Sequence, residues 1–225
     1  MKAVLVTGAA RGLGAAIAER LRTDGYAVLG ADLAGGDLVL DVRDPEAWSA
    51  AAASLGDAGE PWALVNCAAR TVVRDLFEIE PGEWDDVLAT NLRGPFLGIR
   101  AIGPLLAAGG AGRIVNVSSD SAFKGRGVVG AHYAASKAAL ISLTRRAAAR
   151  LAPNGVTVNA IVPGTIDGET VRELAGDQLQ ALAAEAAVGR LADPAEIAAL
   201  GAWLVSGEAS YVTGSVLVAD GGASL

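Results

Sequence analysis

The sequence predicts an α/β fold: one doubly wound sheet of about seven parallel strands, with helices on both faces. Three observations support this. Short apolar runs alternate with longer helical patterns along all 225 residues. Most runs are apolar at every position, as in Ala3-Val4-Leu5-Val6, and such a strand belongs in a parallel sheet covered on both sides. The connections are short, as strand–helix–strand crossovers require.

Taken in order, the first strand is expected at Ala3–Val6 and the first helix at Leu13–Asp24. Strands follow at Ala27–Ala31 and Leu38–Leu40, then a helix at Pro45–Leu55 and a strand at Ala63–Asn66. A long helix is expected over Pro81–Leu106, a strand over Arg113–Val117, a helix over His132–Leu151 and a strand over Val156–Val162. The helix at Pro194–Val205 has the clearest start signal, with Asp193 as cap, Pro194 at the first position and Glu196 three residues after the cap. Ser215–Val218 is the last strand. The Ala-rich stretches Ala50–Ala53, Ala147–Ala149 and Ala181–Ala187 read as helix, because alanine is the best helix former. Glycines 168, 176 and 189 break up the segment from about 167 to 190, which is expected to be a mobile substrate lid. No repeat or linker divides the chain, so residues 1–225 read as one domain.

Composition narrows the function. The net charge is −7 and no Lys/Arg run occurs, so no nucleic-acid partner is expected. A single cysteine and a single histidine supply neither an internal disulfide nor a metal site, and no metal is expected. No apolar run approaches the ~18–20 residues of a membrane span, and the N-terminal run is too short for a signal-peptide core. A cytoplasmic protein acting on a small molecule is the expectation.

Chemistry enters at the first turn. Thr7-Gly8-Ala9-Ala10-Arg11-Gly12-Leu13-Gly14 joins a strand to a helix. Gly8 can take a backbone conformation closed to other residues, Gly12 lets a ligand approach, and Gly14 lets the helix pack on the sheet. A helix N-terminus behind such a turn suits a pyrophosphate, the Rossmann-type arrangement for a dinucleotide. Without a ligand, the same pattern is only a tight turn. Asp32 ends the next strand, where a carboxylate can accept from both adenosine ribose hydroxyls and would repel a 2′-phosphate. Asp32 therefore favours NAD over NADP, although Arg11 pulls the other way.

Tyr133 and Lys137 are four residues apart in a helical pattern and share a face. A cation there is expected to lower the phenol pKa and make tyrosine a usable acid/base. Upstream, the strand Ile114–Val117 runs into Ser118-Ser119 at the sheet edge where such folds bind ligands.

Together these pieces resemble the short-chain dehydrogenase/reductase family nearly end to end. They are TGAARGLG at Thr7–Gly14, Asp41-Val42, NCAA at Asn66–Ala69, Asn91, VNVSS at Val115–Ser119, YAASK at Tyr133–Lys137, Pro163-Gly164, Val212–Gly214 and Asp220–Gly222. The resemblance implies an NAD(P)(H)-dependent oxidoreductase that interconverts a secondary alcohol and a ketone, with 3-oxoacyl or cyclic substrates. It implies Tyr133 as the proton-exchanging residue, Lys137 on the nicotinamide ribose, Ser119 on the substrate oxygen and Asn91 anchoring a water relay towards Lys137. It also implies cofactor contacts from Gly8, Arg11, Gly12, Leu13 and Gly14, and from Asp32. Asp41 and Val42 would meet the adenine, and Asn66 and Ala68 the adenosine side. Pro163 and Gly164 would lie beside the cofactor, with the Ile166 backbone on the carboxamide. A homotetramer or homodimer through Pro81–Leu106 and His132–Leu151 is a further implication. The alternative is a catalytically silent dinucleotide-binding regulator or scaffold.

Departures from the family pattern are specific. Ala69 stands where the family usually has glycine, and Gly168 where it usually has threonine, with Thr165 or Thr170 as substitutes. Ser119 lies 14 residues before Tyr133, one more than is common, so Ser121 is kept in reserve. The substrate pocket is expected from residues 120–130 and 167–190. His132 sits about 100° around the helix from Tyr133 and reads as a surface or helix-start residue. Cys67 reads as packing, the tryptophans 48, 62, 84 and 203 as core or interface anchors, and Asp85-Asp86 as a solvated face.

Overall fold

Seven strands form in chain order: β1 (Lys2–Thr7), β2 (Ala27–Asp32), β3 (Leu38–Val39), β4 (Glu60–Asn66), β5 (Gly112–Val117), β6 (Val156–Pro163) and β7 (Val216–Ala219). This is a computed structural model; it describes residues 1–125 and 127–225, with all their side chains except those of 170, 174, 175 and 177. The strands pair in the order β3-β2-β1-β4-β5-β6-β7, and every pair is parallel. The chain leaves β1 towards one edge, then returns to pair β4 on the other side of β1. That reversal opens a crevice at the carboxyl ends of β1 and β4.

The helices are α1 (Gly12–Thr23), α2 (Pro45–Ala58), α3 (Pro81–Leu88), α4 (Gly94–Ala108), α5 (Ala131–Leu151), α6 (Glu169–Ala175), α7 (Leu179–Glu185) and α8 (Pro194–Val205). Strand alternation sends Ala3 and Leu5 into one core, with Trp48 of α2, Ile102 of α4 and Ala148 of α5. Val4 and Val6 go into the other, with Ile17 of α1 and Leu204 of α8. Both strand faces are therefore buried, which is why these runs are apolar throughout. The capping box of α8 forms as expected, with Asp193 accepting from Ala195 N–H at 2.8 Å and Glu196 accepting from Asp193 N–H at 2.8 Å.

The expected helix over Pro81–Leu106 is not a regular α-helix. A π-turn, Ala89–Arg93, separates α3 from α4. Pro95 lacks the N–H that an α-helix would direct at the Asn91 carbonyl, so the ladder shifts by one residue. Gly94 follows the turn because a Cβ there would lie 2.9 Å from Val42 Cγ2. The segment expected as a lid holds α6 and α7, two short helices. No helix among the described residues is long and apolar enough to cross a membrane.

Candidate active site

A cleft of about 700 Å³ runs along the carboxyl ends of the central strands. Its floor begins at the glycine turn. Gly8 has φ 70°, and a Cβ on it would lie 2.8 Å from the backbone of Ala68. A Cβ on Gly14 would collide with the Gly8 carbonyl oxygen, so α1 packs against the turn only through glycine. Gly12 has φ 57° and nothing within 4 Å of a Cβ, leaving open ground before the first turn of α1. That helix start has no side-chain cap and no acidic residue, so its N–H groups and dipole face the cleft uncompensated.

Thr7 holds the turn against β4. Its hydroxyl oxygen accepts from the N–H groups of Cys67 and Ala68 at 3.1 and 3.2 Å, and its proton points to Val65 O at 3.4 Å. Nothing local to the Thr7–Gly14 motif signals this bond, because its partners lie 60 and 61 residues away. Ala69 needs no glycine, since no non-glycine residue among those described has positive φ. Asp32 accepts from Ala10 N–H at 3.0 Å and Leu33 N–H at 2.8 Å, which turns its carboxylate onto the glycine turn. Arg11, Leu13, Asp41 and Val42 also line the cleft. Hydrogen bonds from Arg43, one of 2.7 Å, hold the Asp41 carboxyl below the usual carboxylate range.

Asn66 is brought elsewhere. It is buried and donates from Nδ2 to Asn116 Oδ1 at 2.8 Å, while Asn116 donates to Thr144 at 2.9 Å. Its side chain ties β4 to β5 instead of lining the cleft. Ala68 does line it.

The opposite wall comes from β5 and α5. Ser118 Oγ donates to Lys137 O at 2.8 Å, fixing α5 on the strand end. Lys137 is 2% exposed, donates from Nζ to Val117 O at 2.8 Å, and lies 5.6 Å from the centroid of the Tyr133 ring. Burial pulls its pKa down to about 8. Burial also pushes the Tyr133 phenol up to about 12, against the hydroxyls of Ser119 and Thr71 beside it. The expected lowering of the phenol by Lys137 is therefore not what this geometry gives. The ammonium is drawn to a strand carbonyl, and loss of hydration dominates both groups.

Ser119 and Ser121 both reach the cleft. Ser121 Oγ donates to Ser119 Oγ at 3.0 Å, and Ser119 donates to Asp120 Oδ1 at 3.2 Å. Asp120 pairs with Lys124 at 2.6 Å, and Lys124 with Glu185 of α7 at 3.2 Å. Ser119, not Ser121, is the serine beside the phenol.

Asn91 sits in the π-turn, wholly buried. Its Oδ1 accepts from Arg70 N–H at 2.8 Å, and its Nδ2 donates to Arg70 O at 3.0 Å and Ser136 Oγ at 3.1 Å. Both amide protons and one oxygen lone pair are spent on loop and helix, so its side chain braces the site.

Past β6, Pro163, Gly164, Thr165 and Ile166 line the cleft. A bridge to Ala192 uses Thr165 O and Asp167 N, leaving the Ile166 N–H and C=O turned away from Ala192. Gly168 caps α6 in extended conformation and has open space around it. Thr165 is the threonine in the cleft, and the Thr170 side chain lies outside the described residues.

Other readings divide. Cys67 lines the cleft, but burial pushes its thiol up to about 11, which suits packing and not a nucleophile. His132 is the second residue of α5, as the helix-start reading has it, and is fully buried, which corrects the surface reading. It stacks on Trp84 at 6.5 Å, and its Nε2 lies 3.3 Å from Glu83 Oε1. Trp48 and Trp62 are core residues, while Trp84 is partly exposed. Among the described residues, no group of three or more His, Cys, Asp or Glu is placed to hold a metal ion.

The chain is similar to known proteins over nearly its whole length. The family model described as enoyl-(acyl carrier protein) reductase matches residues 8–224. The chain is 40% identical to short-chain reductase protein NovJ of Streptomyces niveus, over 97% of this chain and 92% of that one. It is 37% identical to the 3-oxoacyl-[acyl-carrier-protein] reductase FabG of Vibrio cholerae, over 98% of this chain and 96% of that one. A candidate NAD(P)-dependent gluconate 5-dehydrogenase from Beutenbergia cavernae, solved with NADP at low occupancy, superposes with a TM-score of 0.91. Its identity is 33%, over 98% of this chain and 96% of that one.

Proposed function

The chain belongs to the short-chain dehydrogenase/reductase family, and from that footing we propose which residues carry its reaction and which substrates it takes. As a member it is an NAD(P)(H)-dependent oxidoreductase interconverting a secondary alcohol and a ketone. The open ground at Gly12 and the uncapped start of α1 fit a pyrophosphate, and the cleft beyond them fits the rest of a dinucleotide. Bound there, the nicotinamide supplies or accepts the hydride.

The observation that carries the reading is that Tyr133, Ser119 and Lys137 share one cleft with the glycine turn. Tyr133 gives its hydroxyl proton to the substrate oxygen in reduction and takes it back in oxidation. Burial keeps this phenol protonated at neutral pH, the form that gives its proton in reduction. Ser119 hydrogen-bonds the substrate oxygen, turning its hydroxyl from Asp120. Lys137, cationic below about pH 8, stabilises the phenolate left behind and binds the nicotinamide ribose. Asn91 braces the site.

NAD is the preferred cofactor in this proposal on the charge of Asp32, against which stand Arg11 in the cleft and the NADP of the Beutenbergia cavernae structure. The Asp32 carboxylate is fixed at the end of β2, and Arg43 is committed to Asp41, so a 2′-phosphate would meet a negative charge without a free partner from Arg43. The substrate is a 3-oxoacyl compound or a cyclic ketone. Val128, Val129, Val171 and Leu182 give the cleft an apolar wall suited to either, and the Vibrio cholerae relative is named for the first class. The segment 167–190 acts as the lid. Exposed Phe96 and Leu105 on α4 support a homo-oligomer, which light scattering would measure.

The test is turnover of NADH and NADPH against 3-oxoacyl thioesters and cyclic ketones. Reduction of either class supports the reading. Dinucleotide binding without turnover across the panel would instead support a silent regulator or scaffold.

A further inference from the structure

The Ser119 hydroxyl carries one proton, and that proton goes to Asp120 Oδ1 at 3.2 Å. The oxygen of the same hydroxyl is already occupied. Ser121 donates to it from its backbone N–H at 3.2 Å and from its own hydroxyl at 3.0 Å. Asp120 is 8% exposed, so little water competes for its carboxylate. A carboxylate is a stronger acceptor than a ketone oxygen, and a substrate at Ser119 has to draw the proton away from it. One side chain opposes this hold. The Asp120 carbonyl accepts from Phe123 N–H at 2.9 Å and from Lys124 N–H at 3.2 Å, closing a turn after β5. The turn brings Lys124 back over Asp120, with Nζ 2.6 Å from Oδ2, the oxygen that Ser119 does not use. Glu185, at 3.2 Å, is the more distant and more exposed of the two carboxylates on this ammonium.

We propose that Lys124 is a positioning residue for Ser119: its ammonium on Asp120 Oδ2 weakens the hold of Oδ1 on the Ser119 proton and frees that proton for the substrate oxygen. This rests on Ser119 as the residue that bonds the substrate oxygen. In reduction, negative charge develops on that oxygen, and the same ammonium neutralises the carboxylate next to Ser119. Without Lys124, Asp120 keeps the proton and sets an uncompensated charge beside the reacting group. The two halves of this ion pair therefore act on the reaction in opposite senses. A pair that merely tied the turn together would act in one sense, because losing either half breaks it.

The experiment measures kcat for ketone reduction at saturating NADH in wild type, Lys124→Met, Asp120→Asn, the double variant and Ser119→Ala. Turnover is counted per NADH-binding site, so unfolded protein does not enter. Lys124→Met is expected to lose about tenfold in kcat, the order of one hydrogen bond to a charged group. Asp120→Asn keeps the side-chain shape without the charge and should raise kcat about twofold or more. The double variant should follow Asp120→Asn, recovering what Lys124→Met loses. Loss of kcat in both single variants, with no recovery in the double, marks the pair as a structural tie and overturns the role of Lys124. An unchanged kcat in Lys124→Met overturns it as well. Ser119→Ala reports on the premise. A loss of about a hundredfold there keeps Ser119 on the substrate oxygen whatever Lys124 does, whereas retained turnover overturns both.

Discussion

Lys124 and Glu185 form an ion pair of 3.2 Å between the loop after β5 and the last residue of α7, and both line the cleft. The same ammonium is 2.6 Å from Asp120, the neighbour of Ser119. The loop after β5 and the end of α7 therefore share one cation. The Glu185 carboxylate is half exposed, so its bond is worth no more than about 1 kcal/mol. Glu185→Gln should speed hydrogen exchange of the α7 amides by up to about fivefold. Unaltered exchange would mean that α7 is held by its apolar contacts alone.

The glycine turn separates a folding requirement from a binding one. At Gly8 both the φ of 70° and the 2.8 Å approach of Ala68 oppose a side chain, so Gly8→Ala should destabilise by about 2–5 kcal/mol. Gly12 has the conformation without the collision, and Gly12→Ala should cost only about 1–2 kcal/mol. Its methyl would stand in the path of the pyrophosphate, and NADH affinity should fall about tenfold or more, 1.4 kcal/mol per tenfold. Thermal unfolding and NADH titration of the two variants check this; normal NADH affinity in Gly12→Ala would remove the pyrophosphate from that spot.

Burial of Lys137 links the site to stability. Its pKa falls from 10.5 to about 8 on folding, so the unfolded chain binds more protons between those values. Stability should rise with pH through that window, as the penalty on the buried ammonium is relieved, by up to about 3 kcal/mol. Lys137→Met lacks this dependence but leaves Val117 O without its donor. Denaturant midpoints from pH 7.5 to 10.5 should show wild type gaining on the variant; parallel profiles would mean that the ammonium is better solvated than its burial implies.

Asp32 decides the cofactor if its charge governs the ribose site. Asp32→Ser removes the repulsion, which amounts to several kcal/mol for juxtaposed like charges. The NADH-to-NADPH ratio of kcat/KM should then fall by about tenfold or more. A wild type that already prefers NADPH would contradict the NAD proposal.

The parts legible in the sequence were those whose meaning is local. Both-sided apolar runs gave the parallel sheet, and four-residue spacing put Tyr133 and Lys137 on one helix face. What depends on distant partners was not legible. Asn91 acts on Arg70, 21 residues earlier, through a π-turn that helical periodicity does not reveal. Asn66 is turned to Asn116 because β4 and β5 are neighbours in register, a pairing absent from either segment alone. His132 was placed correctly on its helix, but its burial depends on Trp84 arriving from α3. The pKa of Tyr133 followed the same rule: spacing brought a cation near, and burial decided the direction.

The assignment of proton exchange to Tyr133 is tested most directly by removing one oxygen atom. Tyr133→Phe, compared with wild type for NADH affinity and for ketone reduction at saturating NADH, should bind NADH within about twofold, a difference of well under 1 kcal/mol, and lose at least about a hundredfold in kcat. Turnover within a few fold of wild type would contradict the assignment and move proton exchange elsewhere in the cleft.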